Sequence, residues 1–318
     1  MPQPIILITG GSGLVGRAIK AVETQFAQQN AHFVYLSSND CDMTNLHEVK
    51  HAFEFYQPTH VIHLAACVGG LYKNMTQKVD MLEKNLMINY NVVKCAHDYK
   101  VRRLIACLST CIFPDQTTYP IDESMLHNGP PHTSNDAYAY AKRMLEIHCR
   151  AYHEEHGDDF ICVIPTNIYG PHDNFNLQDG HVLPALIQKC CLAKEEDIDF
   201  EVRGSGTPLR QFIYSEDLAS LILRVLFDES GTYYQNLIIS TSEADEVSIK
   251  DVATKIAHCF DYSDRLVWNR DYSDGQYKKT ASNLQLRTIF PDVCFTPIDV
   301  GIQRTVQWFL ENRSTARI

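Results

Sequence analysis

A glycine-rich turn, ITGGSGLVG, directly follows the first apolar run and constrains the fold more than any other feature of the sequence. It places Gly10, Gly13 and Gly16 at three-residue intervals between a predicted strand, Ile5–Thr9, and a predicted helix that begins at Leu14. Such glycines allow a tight turn, close approach of backbone to pyrophosphate, and close helix–strand packing. The helix N-terminus adds free N–H groups and a positive dipole end. The turn therefore predicts a dinucleotide site.

Short apolar runs alternate with helical patterns through the first half of the chain. The further predicted strands are His32–Ser38, His60–Ala66, Arg102–Ser109 and Phe160–Thr166. The predicted helices cover Leu14 to Gln25, Glu48 to Tyr56, Lys84 to Asp98 and Ala137 to Tyr152. Because these strands are apolar throughout, both of their faces are expected to be buried, as in a parallel sheet covered by helices on each side. We predict an α/β fold, a Rossmann-type doubly wound parallel sheet with a smaller mixed α/β substrate domain.

The pattern changes after Thr166. The segment NIYGPHDNFNLQDGH is rich in Gly, Pro, Asn and Asp, which predicts a long loop of the kind that is often functional. A helix near Leu183–Leu192 and a strand near Phe200–Arg203 follow. The predicted division assigns residues 1–170 and 211–240 to the dinucleotide-binding domain, and residues 171–210 and 241–318 to the substrate domain.

The charge and cysteine content argue against several classes of function. With 28 Lys+Arg against 39 Asp+Glu the formal net charge is -11, which disfavours binding to nucleic acid or anionic membranes. The 11 cysteines include no C-x-x-C pair, so neither a disulfide framework nor a metal site is predicted. No apolar stretch is long enough to span a bilayer, and the N-terminus does not read as a secretory leader. We expect a cytoplasmic protein.

The end of the second strand bears on the choice of nicotinamide. An NAD site usually has a carboxylate there for the ribose hydroxyls, whereas this chain has Ser37, Ser38 and Asn39. Small donors suit a 2′-phosphate, and Arg17 beside the glycine turn can add charge. Asp40 follows immediately, and a shift of one residue would weaken the argument. The pattern favours NADP(H).

A candidate catalytic set lies at the end of the fourth strand and in the helix that follows. The motif YAYAK places Tyr138 and Lys142 on one helix face. A phenol with a pKa of about 10 is a poor acid–base group at neutral pH unless a nearby ammonium stabilises its anion. Such a spacing also arises by chance, but Ser109 ends a strand where these folds bind ligands. Cys111 follows two residues later, and it can face the same cleft as Ser109 if extended geometry persists.

Together these motifs resemble the extended short-chain dehydrogenase/reductase superfamily, and within it the GDP-L-fucose synthase family. The resemblance runs almost end to end and rests on TGGSGLVG, HLAACVGGL, LSTCIFP, YAYAK, PTNIYGPHDNFN, HVLPALIQK, GSGTPLRQF and SDGQYKKTASN. It implies an NADPH-dependent enzyme that epimerises GDP-4-keto-6-deoxy-D-mannose at C3 and C5 and then reduces its 4-keto group to give GDP-L-fucose. It also implies a homodimer that pairs through helices of the nucleotide-binding domain.

The resemblance implies a role for each catalytic candidate. In a 4-keto sugar both C3 and C5 lie next to the carbonyl, and inversion needs acid–base groups on opposite faces of the ring. Cys111 and His181 are implied as these groups, and the sequence leaves open which acts at each carbon. Ser109, Tyr138 and Lys142 are implied for the reduction.

The resemblance also implies which residues hold the two ligands. The expected cofactor contacts are Gly10, Gly11, Ser12, Gly13, Leu14, Val15, Gly16, Ser37, Ser38, Asp42, Cys107, Leu108, Lys142, Pro165, Thr166, Asn167, Ile168 and His181. The expected substrate contacts are Lys189, Arg203, Arg210 and Asp274. Arg203 stands where relatives carry tryptophan, and its guanidinium can stack on a planar group or bind phosphate. Lys278 and Lys279 are further candidates, and the sequence does not decide which points inward.

Two other interpretations stay open. The first is another NAD(P)-dependent nucleotide-sugar enzyme: a 4-epimerase, which needs only the Ser–Tyr–Lys set, or a 4,6-dehydratase. A dehydratase needs a carboxylate at the end of this strand. The chain has Thr110 and Cys111 there, and the next acidic residue is Asp115. The second is a non-catalytic NADPH-binding sensor, which could have lost Tyr138 or Lys142; both are present.

Overall fold

The structure, a computed structural model, describes residues 3–230, 233–272 and 276–318. Its strands are β1 (Ile5–Thr9), β2 (His32–Leu36), β3 (His60–His63), β4 (Arg103–Cys107), β5 (Phe160–Pro165), β6 (Asn167–Tyr169), β7 (Phe200–Arg203), β8 (Leu209–Arg210), β9 (Phe212–Tyr214), β10 (Asn236–Ile239), β11 (Val247–Ser248) and β12 (Leu266–Asn269). Its α-helices are α1 (Leu14–Val22), α2 (Leu46–Tyr56), α3 (Leu71–Thr76), α4 (Lys78–Asp98), α5 (Asp136–His156), α6 (Val182–Glu195), α7 (Ser215–Leu226), α8 (Ile249–Cys259), α9 (Leu284–Ile289) and α10 (Ile298–Asn312).

Within the described residues, six parallel strands form the central sheet in the order β10-β5-β4-β3-β1-β2. The chain runs from β1 outward to β2 and then crosses back to β3 on the other side of β1. The strand order therefore reverses between β1 and β3, and such a reversal opens a crevice at the carboxyl ends of the strands. The predicted doubly wound parallel sheet is confirmed, and it fixes where a ligand can bind.

Successive side chains of β1 enter two different hydrophobic clusters. Leu7 packs with Val49 and Val92 on the face covered by α2, α4 and α5. Ile6 and Ile8 pack on the opposite face, which α1 and α7 cover. Because successive strand side chains point to opposite faces, a strand buried on both sides must be apolar at every position. Each such side chain contributes about 1.5–3 kcal/mol by its burial.

A third hydrophobic cluster lies beyond the central sheet. It is built from α6, α8 and α10 together with β7 and includes Leu183, Phe200, Ile256 and Phe309. β7 pairs in parallel with β12, and β8 pairs antiparallel with β11. These elements give the second half of the chain a small mixed α/β core of its own.

The division of the chain into two domains stays a prediction. In the structure, Leu286, Phe290 and Val293 pack in the cluster that α1 and α7 form against the central sheet. These residues fall in the segment 241–318 that the prediction assigns to the substrate domain. Any division must therefore allow for α9 and the turn after it lying against the sheet.

Part of the segment predicted as a long loop is a strand. β6 pairs in parallel with β9, with Asn167 opposite Phe212 and Tyr169 opposite Tyr214. The partner strand lies more than forty residues further along the chain, so local composition gives no sign of it. Two predicted helices are also longer in the structure, since α4 begins at Lys78 and α5 extends to His156. No helix in the described ranges combines the length and apolar character needed to cross a bilayer.

Candidate active site

A cavity of about 650 Å³ lies at the carboxyl ends of the central strands. The predicted site residues along its wall are Gly10, Ser12, Gly13, Leu14, Val15, Gly16, Ser37, Ser38, Asp42, Cys107, Leu108, Ser109, Tyr138, Lys142, Pro165, Thr166, Asn167, Ile168 and His181. Gly11 is set back, with its N–H donating to the Leu36 carbonyl at 2.8 Å. One cavity thus joins the glycine turn to the candidate catalytic side chains.

The glycine turn is shaped so that other residues would not fit. Gly10 has φ +71, and a Cβ added there would lie 2.8 Å from the backbone nitrogen of Ala65. A Cβ on Gly16 would lie 2.5 Å from the Gly11 carbonyl oxygen. Gly13 caps α1 without a side chain that could bond the first-turn N–H groups. The turn is therefore a cradle of exposed backbone at a helix N-terminus, which suits a pyrophosphate.

At the end of β2, the acidic residue that could have suited NAD is held in a local turn. The Asp40 carboxylate accepts from the Ser37 hydroxyl at 2.6 Å and from the Ser37 N–H at 2.8 Å. These hydrogen bonds hold the pKa of Asp40 below its ordinary value. Ser37, Ser38 and Asp42 line the cavity, whereas Asp40 and Arg17 do not. The wall here offers two serine hydroxyls, which suit NADP(H), and the Asp42 carboxylate, which accepts from the Thr44 N–H and hydroxyl.

Burial has the largest effect on the pKa values of Tyr138 and Lys142. It raises the pKa of Tyr138 well above its ordinary value, and the thiols of Cys111, Cys107 and Cys67 raise it further. Burial also lowers the pKa of Lys142, whose Nζ donates to the Cys107 carbonyl at 2.8 Å and lies 5.8 Å from the Tyr138 ring centroid. The phenol is thus held in its neutral form, which can donate a proton.

A turn places Cys111, because the extended backbone ends at Ser109. The 3-10 helix Thr110–Ile112 follows, and the Ser109 hydroxyl accepts from the Cys111 N–H at 3.4 Å. Burial raises the pKa of the Cys111 thiol, while a hydrogen bond with Ser109 and the charges of Lys279 and Lys142 oppose that rise. Ser109 and Thr110 line the cavity, whereas Cys111 is not among its lining residues. The condition under which Cys111 would face the cleft with Ser109, an extended backbone from Ser109 to Cys111, is therefore not met.

His181 lies where the long loop meets α6. It is the N-cap of α6, and its carbonyl accepts from the Ala185 N–H at 3.0 Å. Its side chain lines the cavity, and the surrounding protein lowers the pKa of the imidazole by desolvation. A neutral imidazole is the form that can accept a proton.

Arg210 and Lys279 are partly buried cations; the charge of Arg210 acts on Lys279, and that of Lys279 acts on the Cys111 thiol. The Arg210 Nη2 donates to the Gln276 carbonyl at 2.7 Å. Burial lowers the pKa of both Arg210 and Lys279, whose charges also act on each other. Lys278 instead lies 3.9 Å from a Glu246 carboxylate oxygen. Of the two lysines that the sequence left undecided, Lys279 is the one whose charge acts on the Cys111 thiol.

Lys189 and Arg203 are not among the residues that line the cavity. Lys189 forms an ion pair with Glu201 at 3.7 Å. The Arg203 guanidinium stacks over the Tyr272 ring, 4.3 Å from its centroid. Asp274 lies outside the described residues.

Several further residues that line the cavity were not predicted as site residues. They include Thr110, Asn74, Asp173, Asn174, Phe212 and Arg317. Asp173 and Asn174 carry a weak signal, since both fall in the Asn- and Asp-rich segment flagged as a functional loop. Arg317 carries none, because only the folding of the last residues of the sequence onto the cleft brings it there.

Comparison with known proteins places the chain in a class of nucleotide-dependent enzymes. The sequence profile of the NAD dependent epimerase/dehydratase family matches residues 6–236. The chain belongs to this family.

Similarity to individual proteins narrows the class. The chain is 51% identical to a GDP-L-fucose synthase of Dictyostelium discoideum, over 98% of this chain and 97% of that protein. It is 46% identical to a probable GDP-L-fucose synthase of Drosophila melanogaster, over 98% and 99%. The crystal structure of a GDP-L-fucose synthetase from Naegleria fowleri bound to NADP superposes with a TM-score of 0.94 at 46% identity, covering 100% of this chain and 96% of that one. Within the family the chain belongs with the GDP-L-fucose synthases, and the predicted resemblance is confirmed.

Proposed function

We propose that the chain is an NADPH-dependent GDP-L-fucose synthase. It inverts C3 and C5 of GDP-4-keto-6-deoxy-D-mannose and then reduces the 4-keto group. The observation that carries the proposal is the single cavity in which the glycine cradle meets Ser109, Tyr138, Lys142 and His181. One carbonyl held at Ser109 and Tyr138 can serve both steps, because the ketone that acidifies C3 and C5 is also the group that is reduced.

The residues present fit NADP(H). The cradle at Gly10 and Gly16 has no room for a Cβ, so the backbone can approach a pyrophosphate closely. Ser37 and Ser38 would hold the 2′-phosphate of the adenosine ribose. When bound, the reduced cofactor supplies the hydride.

Cys111 and His181 are proposed as the proton carriers of the epimerisation. Each needs to give or take a proton near neutral pH. The Ser109 hydrogen bond and the Lys279 charge favour the thiolate of Cys111 against its burial, and desolvation favours the neutral imidazole of His181. Cys111 is not among the residues that line the cavity, so its role requires the sugar to extend past Ser109 and Thr110 towards the thiol. Two groups of different chemistry on different elements can then serve opposite faces of the sugar.

Tyr138 is proposed as the proton donor to the 4-oxygen during reduction. The raised pKa of its phenol keeps the proton available. Ser109 holds the same oxygen through its hydroxyl, and Lys142, fixed to the Cys107 carbonyl, supplies a positive charge beside the site. The three side chains come from the end of β4 and the first turns of α5.

The diphosphate and base of the substrate are assigned to the cationic residues beyond the catalytic groups. Arg210 and Lys279 are proposed as phosphate partners, since a guanidinium and an ammonium both suit phosphate oxygens. Lys189, Arg203 and Asp274 are proposed as further contacts. The Arg203–Tyr272 stack offers a flat surface to a nucleobase.

The test is incubation of the protein with GDP-4-keto-6-deoxy-D-mannose and NADPH. We expect loss of NADPH absorbance and a product that NMR identifies as GDP-L-fucose. A reduced product with unchanged C3 and C5 would instead identify a simple 4-reductase. No consumption of NADPH with any 4-keto sugar nucleotide would favour the non-catalytic sensor.

We also propose that the chain forms a homodimer through α4 and α5, which pack against each other. Large apolar side chains stay exposed on these helices, with Met87, Tyr90 and Met144 each 50% exposed and Tyr140 44% exposed. Exposed apolar side chains concentrated on one pair of helices often mark an interface. A cytoplasmic location is proposed as well, because all eleven cysteines are free thiols.

A further inference from the structure

We propose that Asp173 binds a hydroxyl group of a ligand in the cavity and that Arg317 positions Asp173 for this. The assignment rests on the proposed function, because the ligand is one of the two nucleotides that this function requires. It adds a polar contact on the wall formed by the loop after β6 and by the last residues of the sequence.

Asp173 has one carboxylate oxygen in use and one without a partner. Its side chain is only 4% exposed. Oδ1 accepts from the Asn174 N–H at 2.7 Å, whereas Oδ2 is buried and has no hydrogen-bond partner within the described part of the chain. Asp173 also lines the cavity. Since buried acceptors without partners are rare and costly in native proteins, a group from a ligand is the natural partner for Oδ2.

Arg317 holds the segment 172–175 at both of its ends. Its Nη2 donates to the His172 carbonyl at 2.7 Å, and its own carbonyl accepts from the Phe175 N–H at 2.7 Å. Asn174 forms a parallel bridge with Arg317. Asp173 lies between these contacts, so the conformation of its backbone depends on Arg317.

The residues 313–318 reach the cavity because the chain turns back after α10. The Ala316 N–H donates to the Asn312 carbonyl at 2.8 Å, and Ala316 packs against the third hydrophobic cluster. Arg317 then lines the cavity together with Asp173. The guanidinium charge opposes the effect of burial, which raises the pKa of Asp173 to about 7.

The chemistry of Asp173 selects the kind of ligand group. A carboxylate repels phosphate oxygens and accepts hydrogen bonds from hydroxyl groups. The nicotinamide dinucleotide and the nucleotide sugar both carry such hydroxyls, on ribose and on hexose. The shared chemistry is a sugar hydroxyl, and binding measurements with each ligand separate the two sources.

The experiment compares Asp173→Asn with the wild type by calorimetric titration with NADPH and, separately, with GDP-mannose as a substrate analogue. The variant keeps an oxygen for the Asn174 N–H but removes the charge. Hydrogen bonds to charged groups contribute enough that we expect the Kd of one ligand to rise about 10-fold or more, with the other unchanged. Asp264→Asn is the matched control, since Asp264 is exposed and lies outside the cavity wall.

Arg317→Ala tests the positioning role. It removes the bond to the His172 carbonyl and keeps the backbone bond to Phe175. We expect a few-fold rise in the Kd of the same ligand, and no additional rise in the double variant with Asp173→Asn, because coupled residues are not additive. Arg317→Lys should restore part of the affinity. A purely structural role would lower the unfolding temperature and leave both Kd values unchanged.

The possible outcomes distinguish a failure of the role of Asp173 from a failure of the proposed function. Wild-type protein that binds NADPH, with both variants binding both ligands equally well, would overturn the role of Asp173 alone. Wild-type protein that binds neither ligand would overturn the proposed function and this assignment with it. If Asp173→Asn does not fold, Arg317→Ala decides, since unchanged binding in that variant contradicts the proposal.

Discussion

The side chains around Tyr138 illustrate how burial, rather than sequence spacing, sets their chemistry. The YxxxK spacing correctly predicts that Tyr138 and Lys142 reach the same cavity. It does not reveal that the Lys142 ammonium is bonded to the Cys107 carbonyl, nor that desolvation dominates both pKa values. These effects depend on neighbours from other strands, which a local motif does not contain.

We expect Tyr138→Phe to lower the rate of reduction by about 10²- to 10⁴-fold, the usual contribution of a positioned general acid. Solvent-deuterium exchange at C3 and C5 should persist, because the phenol is not assigned to epimerisation. Single-turnover NADPH oxidation and NMR exchange measure the two steps separately. Tyr140→Phe, at an exposed position in the same helix, is the control, and equal loss in both variants would contradict the assignment.

We expect Cys111→Ser to suppress solvent-deuterium exchange at C3, C5 or both, because a hydroxyl is a far weaker acid than a thiol. NADPH affinity should be retained, since Cys111 is not among the residues that line the cavity at the glycine turn. Cys67→Ser is the matched control, as its thiol also acts on the pKa of Tyr138. Normal exchange at both carbons in Cys111→Ser would refute its role.

Asp173 gives an expected pH dependence of stability. Its pKa is raised to about 7 in the folded state, so the folded protein binds more protons than the unfolded chain between about pH 4 and 7. Stability should therefore fall as pH rises through this range. Asp173→Asn should flatten that slope. In ligand-free calorimetric scans, the difference in unfolding temperature between the variant and the wild type should be more favourable to the variant at pH 8 than at pH 5. Equal slopes in both proteins would show that Asp173 is not the group responsible.

At the scale of elements, the sequence predicts what depends on local periodicity. The bounds of β1 and β7 are those predicted: β1 is a short apolar run before the glycine turn, and β7 (FEVR) alternates apolar and charged residues before the turn GSGTP. The start of α1 is equally well marked by the glycine turn. The sequence does not predict β6, because its partner β9 is distant along the chain. It does not predict the 3-10 turn Thr110–Ile112 either, because three residues carry no helical periodicity. Pairing and packing between distant segments decide such features.

We expect Gly16→Ala to weaken NADPH binding and to lower the unfolding temperature. The added Cβ would lie 2.5 Å from the Gly11 carbonyl oxygen, and forcing such a contact typically costs about 1–3 kcal/mol. Gly129→Ala makes the same chemical change where the nearest atom is a Pro114 side-chain carbon at 3.4 Å, so it should be nearly neutral. Calorimetric unfolding and NADPH titration check both variants.

At the scale of the whole molecule, an acidic chain must hold anionic ligands through a few local cations. The formal net charge of -11 is offset near the site by Arg210, Lys279 and Lys142. Composition alone indicates that this compensation must exist, but it does not identify the cations. Arg210 was predicted from its motif, whereas the inward position of Lys279 becomes clear only when Cys111 is placed beside it.

The exposed face of α4 and α5 gives a prediction about assembly. We expect the double variant Met87→Glu, Met144→Glu to sediment as a monomer, because two charges would have to be buried in the proposed interface. The wild type should sediment as a dimer. Leu284→Glu, at a position 73% exposed on α9, is the control and should leave the dimer intact.

The pairing of β6 with β9 bears on how the protein would behave in the crystal. β6 continues from β5 almost without interruption, and β9 runs directly into α7, so two hydrogen-bonded crossings rather than one flexible tether connect the central sheet with the third cluster. Opening the cleft widely would require both crossings to bend together. The β6–β9 pairing should therefore resist wide opening of the cleft, and we expect ligand-free crystals to tolerate soaking without cracking.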